Sequence, residues 1–137
     1  MRISETISDS GYLMILALDL GRIHVGIAVS AGSDIAFSRK EIMRPDLVTL
    51  LKKIKKEEGI EKIIIGLPLA FSGGDTNQTR IVRNEAKEIE EKIGVKVELL
   101  DERLTTLQAK KSGAKENHSE AARLILESYL EKLKNKN

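Results

Sequence analysis

Apolar residues come in two rhythms along the chain. Residues 14–30, MILALDLGRIHVGIAVS, read as one apolar strand, a tight turn at Leu20-Gly21-Arg22 and a second apolar strand. The spacing predicts strands over 14–19 and 23–30, with Gly21 giving the permissive backbone that a short hairpin connection wants. Gly32-Ser33-Asp34 marks the next turn, and 35–42 is a third strand, more polar and so nearer a sheet edge. Then the period changes. Leu47, Leu50, Leu51 and Ile54 recur at helical spacing, behind Pro45 in a first-turn position and ahead of a stop at Gly59. Lys52, Lys53, Lys55 and Lys56 form the solvated face of that helix. Residues 61–66, EKIIIG, suit a parallel strand covered on both faces. A loop over 67–76 leads to an amphipathic helix over 77–93 closed by Gly94, and 95–100 is a fifth strand. A short helix near 104–111, a polar connection over 112–117 and a final amphipathic helix over 119–133 complete the pattern.

The order βββ-α-β-α-β-α-α describes an α/β fold. Three antiparallel strands lead, and two parallel strands each return through a right-handed helical crossover. The result is a mixed five-stranded sheet flanked by helices. At 137 residues this is one domain, spanning 14–137, with a polar 1–13 (MRISETISDSGYL) read as a disordered extension. That extension lacks the apolar stretch of a secretory signal. No run of apolar residues is long enough for a membrane span. There are no cysteines, so disulfides and thiolate metal sites are excluded, which fits a cytoplasmic protein. Charged residues make up 32% of the chain, a composition suited to high temperature, yet the net charge is only +2. Nucleic-acid binding then depends on where the charges sit. Aromatics are only 3%, so recognition is expected to rest on phosphates and shape, with a steep salt dependence.

One residue breaks the apolar pattern. Asp19 interrupts the first strand just before its end, where Asp is disfavoured and an unpaired charge is costly to bury. Asp101-Glu102-Arg103 ends the fifth strand, and ligand sites in open α/β sheets gather beyond the carboxyl ends of strands. If the first strand runs parallel to its interior neighbours, Asp19 and Glu102 reach one rim. Two such carboxylates form a hard-oxygen site favouring Mg²⁺ or Mn²⁺. Glu102 has a second reading, as an acid opposing the dipole of the helix that follows it.

MILALDLGRIHVGIAVS, IIIGLPLAFSGG, VELLDERLTT and AARLILESYL, in this order over about 14–133, resemble the YqgF/RuvX family. This is a family of RNase H-like nucleases described both as Holliday-junction resolvase-like and as pre-16S rRNA processing enzymes. The resemblance implies a divalent-metal phosphodiesterase acting on nucleic acid: precursor rRNA in ribosomal precursor particles, or branched DNA, as a monomer or homodimer. Asp19 matches the family's first acid and Glu102 its second. The third acid lies eleven residues before the Tyr of the ILESYL motif, which here is His118, not Asp. An imidazole can still ligate a metal, orient water or act as a base, so Asp19, Glu102 and His118 stand as catalytic and metal-ligating candidates. The opposite reading is a site whose catalysis has lapsed, leaving an RNA-binding assembly factor. Glu120, two positions on, falls about 200° around the helix. With Asn117 as N-cap it sits at capping-box spacing and is assigned structure. A second departure is Ile23, where the family usually has Lys; the neighbouring Arg22 is the substitute phosphate contact or a solvated turn residue. Arg103 and Thr105 after Glu102, and Lys115 before His118, are further phosphate-binding candidates. Arg80 and Arg83 beside the loop over 72–77 are either a rim or a solvated helix face.

Overall fold

The computed structural model describes residues 14–31, 34–102 and 117–135. The predicted extension over 1–13, the short helix near 104–111 and the candidates Arg103, Thr105 and Lys115 fall outside these residues. The elements are β1 (Ile15–Leu20), β2 (His24–Ala31), β3 (Ile35–Met43), a 3₁₀ turn (Arg44–Asp46), α1 (Leu47–Glu57), β4 (Lys62–Leu67), α2 (Asn77–Ile93), β5 (Lys96–Asp101) and α3 (His118–Asn135). The sheet order is β3-β2-β1-β4-β5. β1 pairs antiparallel with β2 and β2 with β3, while β1–β4 and β4–β5 are parallel. The expected mixed sheet is what forms, with the polar third strand at its edge. Pro45 belongs to the 3₁₀ turn that precedes α1, where its fixed φ and missing N–H cost nothing.

Alternation decides the two faces. Leu16, Leu18, Leu20, Val25, Ile27, Val29, Ile63, Ile65 and Leu67 point to one side and form a core with α1 and α2. The residues between them point to the other side and are mostly small: Ala17 and Ala28, joined by Ala36, with Ile64 buried among them and Ile15 and Leu100 packed partly buried against the cluster. Gly26 and Gly66 share that parity. On this shallow floor lies α3, burying Ala122, Ile125, Leu126, Tyr129 and Leu130 at helical spacing. Small floor residues let the helix axis approach the sheet closely. Lys62 fixes the far end of α3, donating to the Tyr129 hydroxyl at 2.8 Å and to Glu98 at 3.1 Å.

The α2 helix is capped at both ends. Thr76 accepts from the Thr79 N–H at 3.1 Å, and the Thr76 N–H donates back to the Thr79 hydroxyl oxygen at 2.9 Å. Thr79 is buried and its hydroxyl also donates to the Pro68 carbonyl, tying the helix start to the end of β4. Gly94 ends the helix in the left-handed region at φ 74°. The four lysines on α1 are exposed as expected, and Lys55 also donates from its ammonium to the Ile93 carbonyl at 2.7 Å, satisfying an orphan acceptor at the end of α2.

Candidate functional site

Asp19 faces α3 because it shares the alternation of Ala17. In the β1–β2 register it lies opposite Gly26, and the β1–β4 register brings it level with Gly66. These two glycines open the space around it. A Cβ on Gly66 would stand 2.8 Å from Glu102 Oε1 and 2.6 Å from Ile125 Cδ1. β4 lies between β1 and β5, so the missing side chain at 66 is the gap through which Glu102, just past β5, reaches Asp19. The Glu102 N–H continues the ladder, donating to the Leu67 carbonyl at 3.1 Å. Its carboxyl group hydrogen-bonds the Asp19 carboxylate. The two acids anticipated from sequence do share one rim.

Glu102 holds its proton far above the usual carboxylate range, at about 9. Burial is the largest cause, followed by the hydrogen bond to Asp19 and the negative charges of Asp19 and Asp101. Two carboxyl groups in a desolvated gap cannot both ionise without a counter-charge. The donor chemistry therefore fits a hard divalent cation, whose charge would take the place of that proton. Among the described residues no set of three His, Cys, Asp or Glu side chains is disposed to hold a metal ion. His118 offers Nδ1 to Asp19 Oδ2 at 2.6 Å, so its ring engages the first acid directly.

His118 is placed by its backbone and by a β-bulge. Val25 pairs with Ile42 and Ile27 with Arg39, so Lys40 and Glu41 together oppose Gly26. The extra residue re-aims Glu41, whose carboxylate accepts the His118 N–H at 3.1 Å and lies at the positive end of α3. One residue on, the Ser119 hydroxyl donates to the Arg39 carbonyl at 2.6 Å, and Ser38 Oγ donates to the Ser119 carbonyl at 3.1 Å. Gly26 makes room for this seat: a Cβ there would lie 1.9 Å from the His118 carbonyl oxygen. Gly21 does the same for the imidazole, with His118 Cε1 2.7 Å from where its Cβ would be. Arg44 braces the β1–β2 turn, donating to the Gly21 carbonyl and pairing with Glu85 on α2.

The predicted start of α3 holds in part. Asn117 caps it, its side chain accepting the Glu120 N–H at 3.1 Å. The reciprocal half of the capping box is replaced, because the Glu120 carboxylate pairs with Arg123. Arg22 and His24 are exposed at the β1–β2 turn, on the same end of the sheet as Asp19. Arg80 contacts Asn77, and Arg83 pairs with Asp75. Sequence reasoning missed Glu41, Ser119, Gly26 and Gly66. The signal for the glycines was present, as the small positions in the alternations LALDL, VGIAV and IIIGL.

Glu102 also sets a pH dependence. A carboxyl whose folded pKa is raised favours the fold fully below its unfolded value and loses that contribution as pH climbs toward the folded one. Without added cation, the chain is therefore expected to lose stability through this group from about pH 4.5 to about 9. Glu102→Gln is expected to flatten that slope and to raise the neutral-pH melting temperature by roughly 3–8 °C. It should also abolish any melting increase produced by Mn²⁺. Thermal melts across pH, with and without Mn²⁺, check this; a variant less stable than the parent at neutral pH contradicts it.

A family model described as RuvX, Holliday junction resolvase, matches residues 13–132. A protein of Maridesulfovibrio salexigens named "Putative pre-16S rRNA nuclease" is 36% identical over 132 residues, covering 86% of this chain and 98% of that protein. A protein of Deinococcus radiodurans named ribonuclease YqgF is 38% identical over 119 residues, covering 85% and 86%. Among solved structures, Thermus thermophilus RuvC superposes with a TM-score of 0.57 at 11% identity, over 90% of this chain and 97% of that one. The same protein in complex with a Holliday junction substrate gives 0.55 at 13%, over 83% and 90%. These two likenesses show the fold, which is RNase H-like.

Proposed function

The chain belongs to the RuvX family, and on that premise we propose that it is a divalent-metal-dependent nuclease that trims the 5′ end of pre-16S rRNA on ribosomal precursor particles in the cytoplasm. The observation that carries the reading is the shared rim of Asp19 and Glu102, where the missing side chain of Gly66 lets the Glu102 carboxyl reach Asp19 and burial beside that acid raises the Glu102 pKa. Asp19 and Glu102 would hold Mg²⁺ or Mn²⁺ there. Such an ion, when bound, supplies the positive charge that polarises a phosphoryl oxygen and stabilises charge building on it. Asp19 orients the imidazole through the 2.6 Å contact to Nδ1. With Nδ1 donating to that carboxylate, Nε2 of the neutral ring is the acceptor and takes a proton from the attacking water. The tautomer follows from the hydrogen bond. Arg22 on the exposed turn, and Arg103, Thr105 and Lys115 from the neighbouring segment, contact substrate phosphates.

The family's description as Holliday junction resolvases favours a second reading, cleavage of four-way DNA junctions. That chemistry needs two symmetric cuts and so a two-fold dimer. Incubating the chain with precursor 16S rRNA and with a four-way junction, each with Mn²⁺ or with chelator, separates the readings. Metal-dependent shortening of the rRNA alone supports the first. Paired junction cuts by a dimer support the second. Binding of RNA without cleavage of either substrate would mean a lapsed site and overturn both.

A further inference from the structure

From the charges of α1 we infer that its outer face is a second contact for the substrate, a docking surface for double-helical RNA; the inference rests on the nuclease reading above and gives that enzyme a preference for structured precursors. Lys52, Lys53 and Lys56 are exposed, and at about 100° per residue they share one arc of the helix, opposite the buried Leu47, Leu51 and Ile54. Among the described residues none of the three takes part in an ion pair. Glu57 stands one turn beyond Lys53, at the spacing of a helical ion pair, yet no such pair joins them. Lys52 and Lys56 are also one turn apart, and like charges at that spacing repel. Acids interleaved with the bases would stabilise such a helix, as Glu120 and Glu127 do around Arg123 on α3. The lysine face therefore works against its own helix, and a polyanion laid on it would relieve the repulsion.

The face lies away from the carboxyl pair. α1 packs through Leu51 and Ile54 on the side of Leu16 and Leu18, whereas Asp19 meets His118 of α3 on the other side of the sheet. The helix itself, roughly 10 Å across, stands between the sheet and the lysines. A strand held at Asp19 and Glu102 is thus not the segment that meets α1. Both places are filled by an RNA with body on either side of the sheet, as a folded precursor has and a short single strand lacks. Three features select a double helix. Lysine meets phosphate as a point charge and reads no base. The face carries Thr49 beside the lysines and no aromatic ring, so a loose strand finds nothing there to stack on. A duplex also presents phosphates on two strands, a denser target than one strand. A net charge of +2 does not predict this contact; three lysines without acid partners in one patch do.

Replacing the three lysines together tests this. In the full chain, with chelator present so that nothing is cut, binding of a short blunt RNA duplex is measured against salt concentration. Lys52→Gln, Lys53→Gln and Lys56→Gln combined keep helix propensity and remove repulsion, so this set is expected to melt no lower than the parent. Its duplex affinity near 0.1 M salt is expected to fall roughly 10- to 500-fold, and the slope of log K against log salt to shrink by nearly one per lysine. Lys52→Arg, Lys53→Arg and Lys56→Arg combined are expected to keep the parent affinity and slope. As a control, Lys87→Gln, Lys92→Gln and Lys132→Gln remove equal charge from exposed positions on α2 and α3. That set is expected to change the slope by less than about one in total. An equal loss in the control makes net charge the cause and overturns the inference. Unchanged duplex binding in the α1 Gln set overturns it too, as does an Arg set that binds no better than the Gln set. An α1 Gln set that loses poly-L-glutamate but keeps the duplex assigns the face to an acidic protein, again overturning it. Cleavage is read separately, on the unsubstituted chain with Mn²⁺. A chain that cuts RNA while its duplex binding ignores these lysines defeats the α1 contact alone. A chain that binds duplex through them and never cuts defeats the nuclease reading alone.

Discussion

Asp19→Asn is expected to slow RNA cleavage at least about a thousandfold while leaving the fold intact. Asn keeps the size of Asp and an oxygen that can accept from His118 Nδ1, so the 2.6 Å contact has a successor. What disappears is the negative charge. The pair with Glu102 then cannot hold a divalent cation with two carboxylates, and a loss of roughly 4 kcal/mol in transition-state stabilisation amounts to three powers of ten. The same change relieves the like-charge pressure on Glu102. The variant should therefore melt no lower than the parent when cation is absent. Single-turnover cleavage with Mn²⁺ and a thermal melt test both halves. Activity within tenfold of the parent would mean that Asp19 is not where the cation acts. A large fall in melting temperature would mean instead that Asp19 serves structure.

Gly26→Ala is expected to be the most damaging small substitution in the sheet. Its Cβ would lie 1.9 Å from the His118 carbonyl oxygen, 2.0 Å from the carbonyl carbon and 2.5 Å from the Ser119 nitrogen. All three are backbone atoms, so no side chain can rotate away. The start of α3 must lift by more than an ångström. That breaks the Ser119–Arg39 and His118–Glu41 bonds and carries the imidazole off Asp19. Overpacking of this kind costs roughly 3 kcal/mol, or about 10 °C in melting temperature for a chain of this size. Cleavage should fall about a hundredfold further than stability alone explains, as expected for a misplaced catalytic group. Gly74→Ala is the control, since its Cβ would meet only Ser72 Oγ at 3.7 Å. Parent-like melting of Gly26→Ala would show that α3 does not seat here.

How far the sequence carried these conclusions follows from the range of the forces involved. Strand and helix periods are local, and they placed every described strand and α-helix, α2 to the residue, but not the 3₁₀ turn at Arg44–Asp46. The edge position of β3 followed from its polarity. Asp19 stood out because one charge in an apolar strand needs a reason. Its meeting with Glu102 followed from strand direction once β1, β4 and β5 were parallel. The seat of α3 was not legible. It depends on a bulge opposite Gly26, and a bulge is a matter of register between β2 and β3 that composition does not encode. The role of Gly66 was hidden for a related reason: it is a vacancy between two strands, visible only when the sheet order is known.

The contact between Asp19 and His118 joins residues 99 positions apart, and those from α3 to Ser38, Arg39 and Glu41 span 77 to 81. The β1–β2–β3 meander and the crossovers through α1 and α2 close far shorter loops. Chain-closure entropy grows with separation, so α3 is expected to dock after the sheet has formed. Competence is thus a late event in the protein's own assembly, and weakening the α3 seat should quicken unfolding in stopped-flow kinetics far more than it slows folding. A nascent polypeptide that has made both acids but not yet the histidine carries an unfinished blade, completed only when the first turn of α3 closes over it.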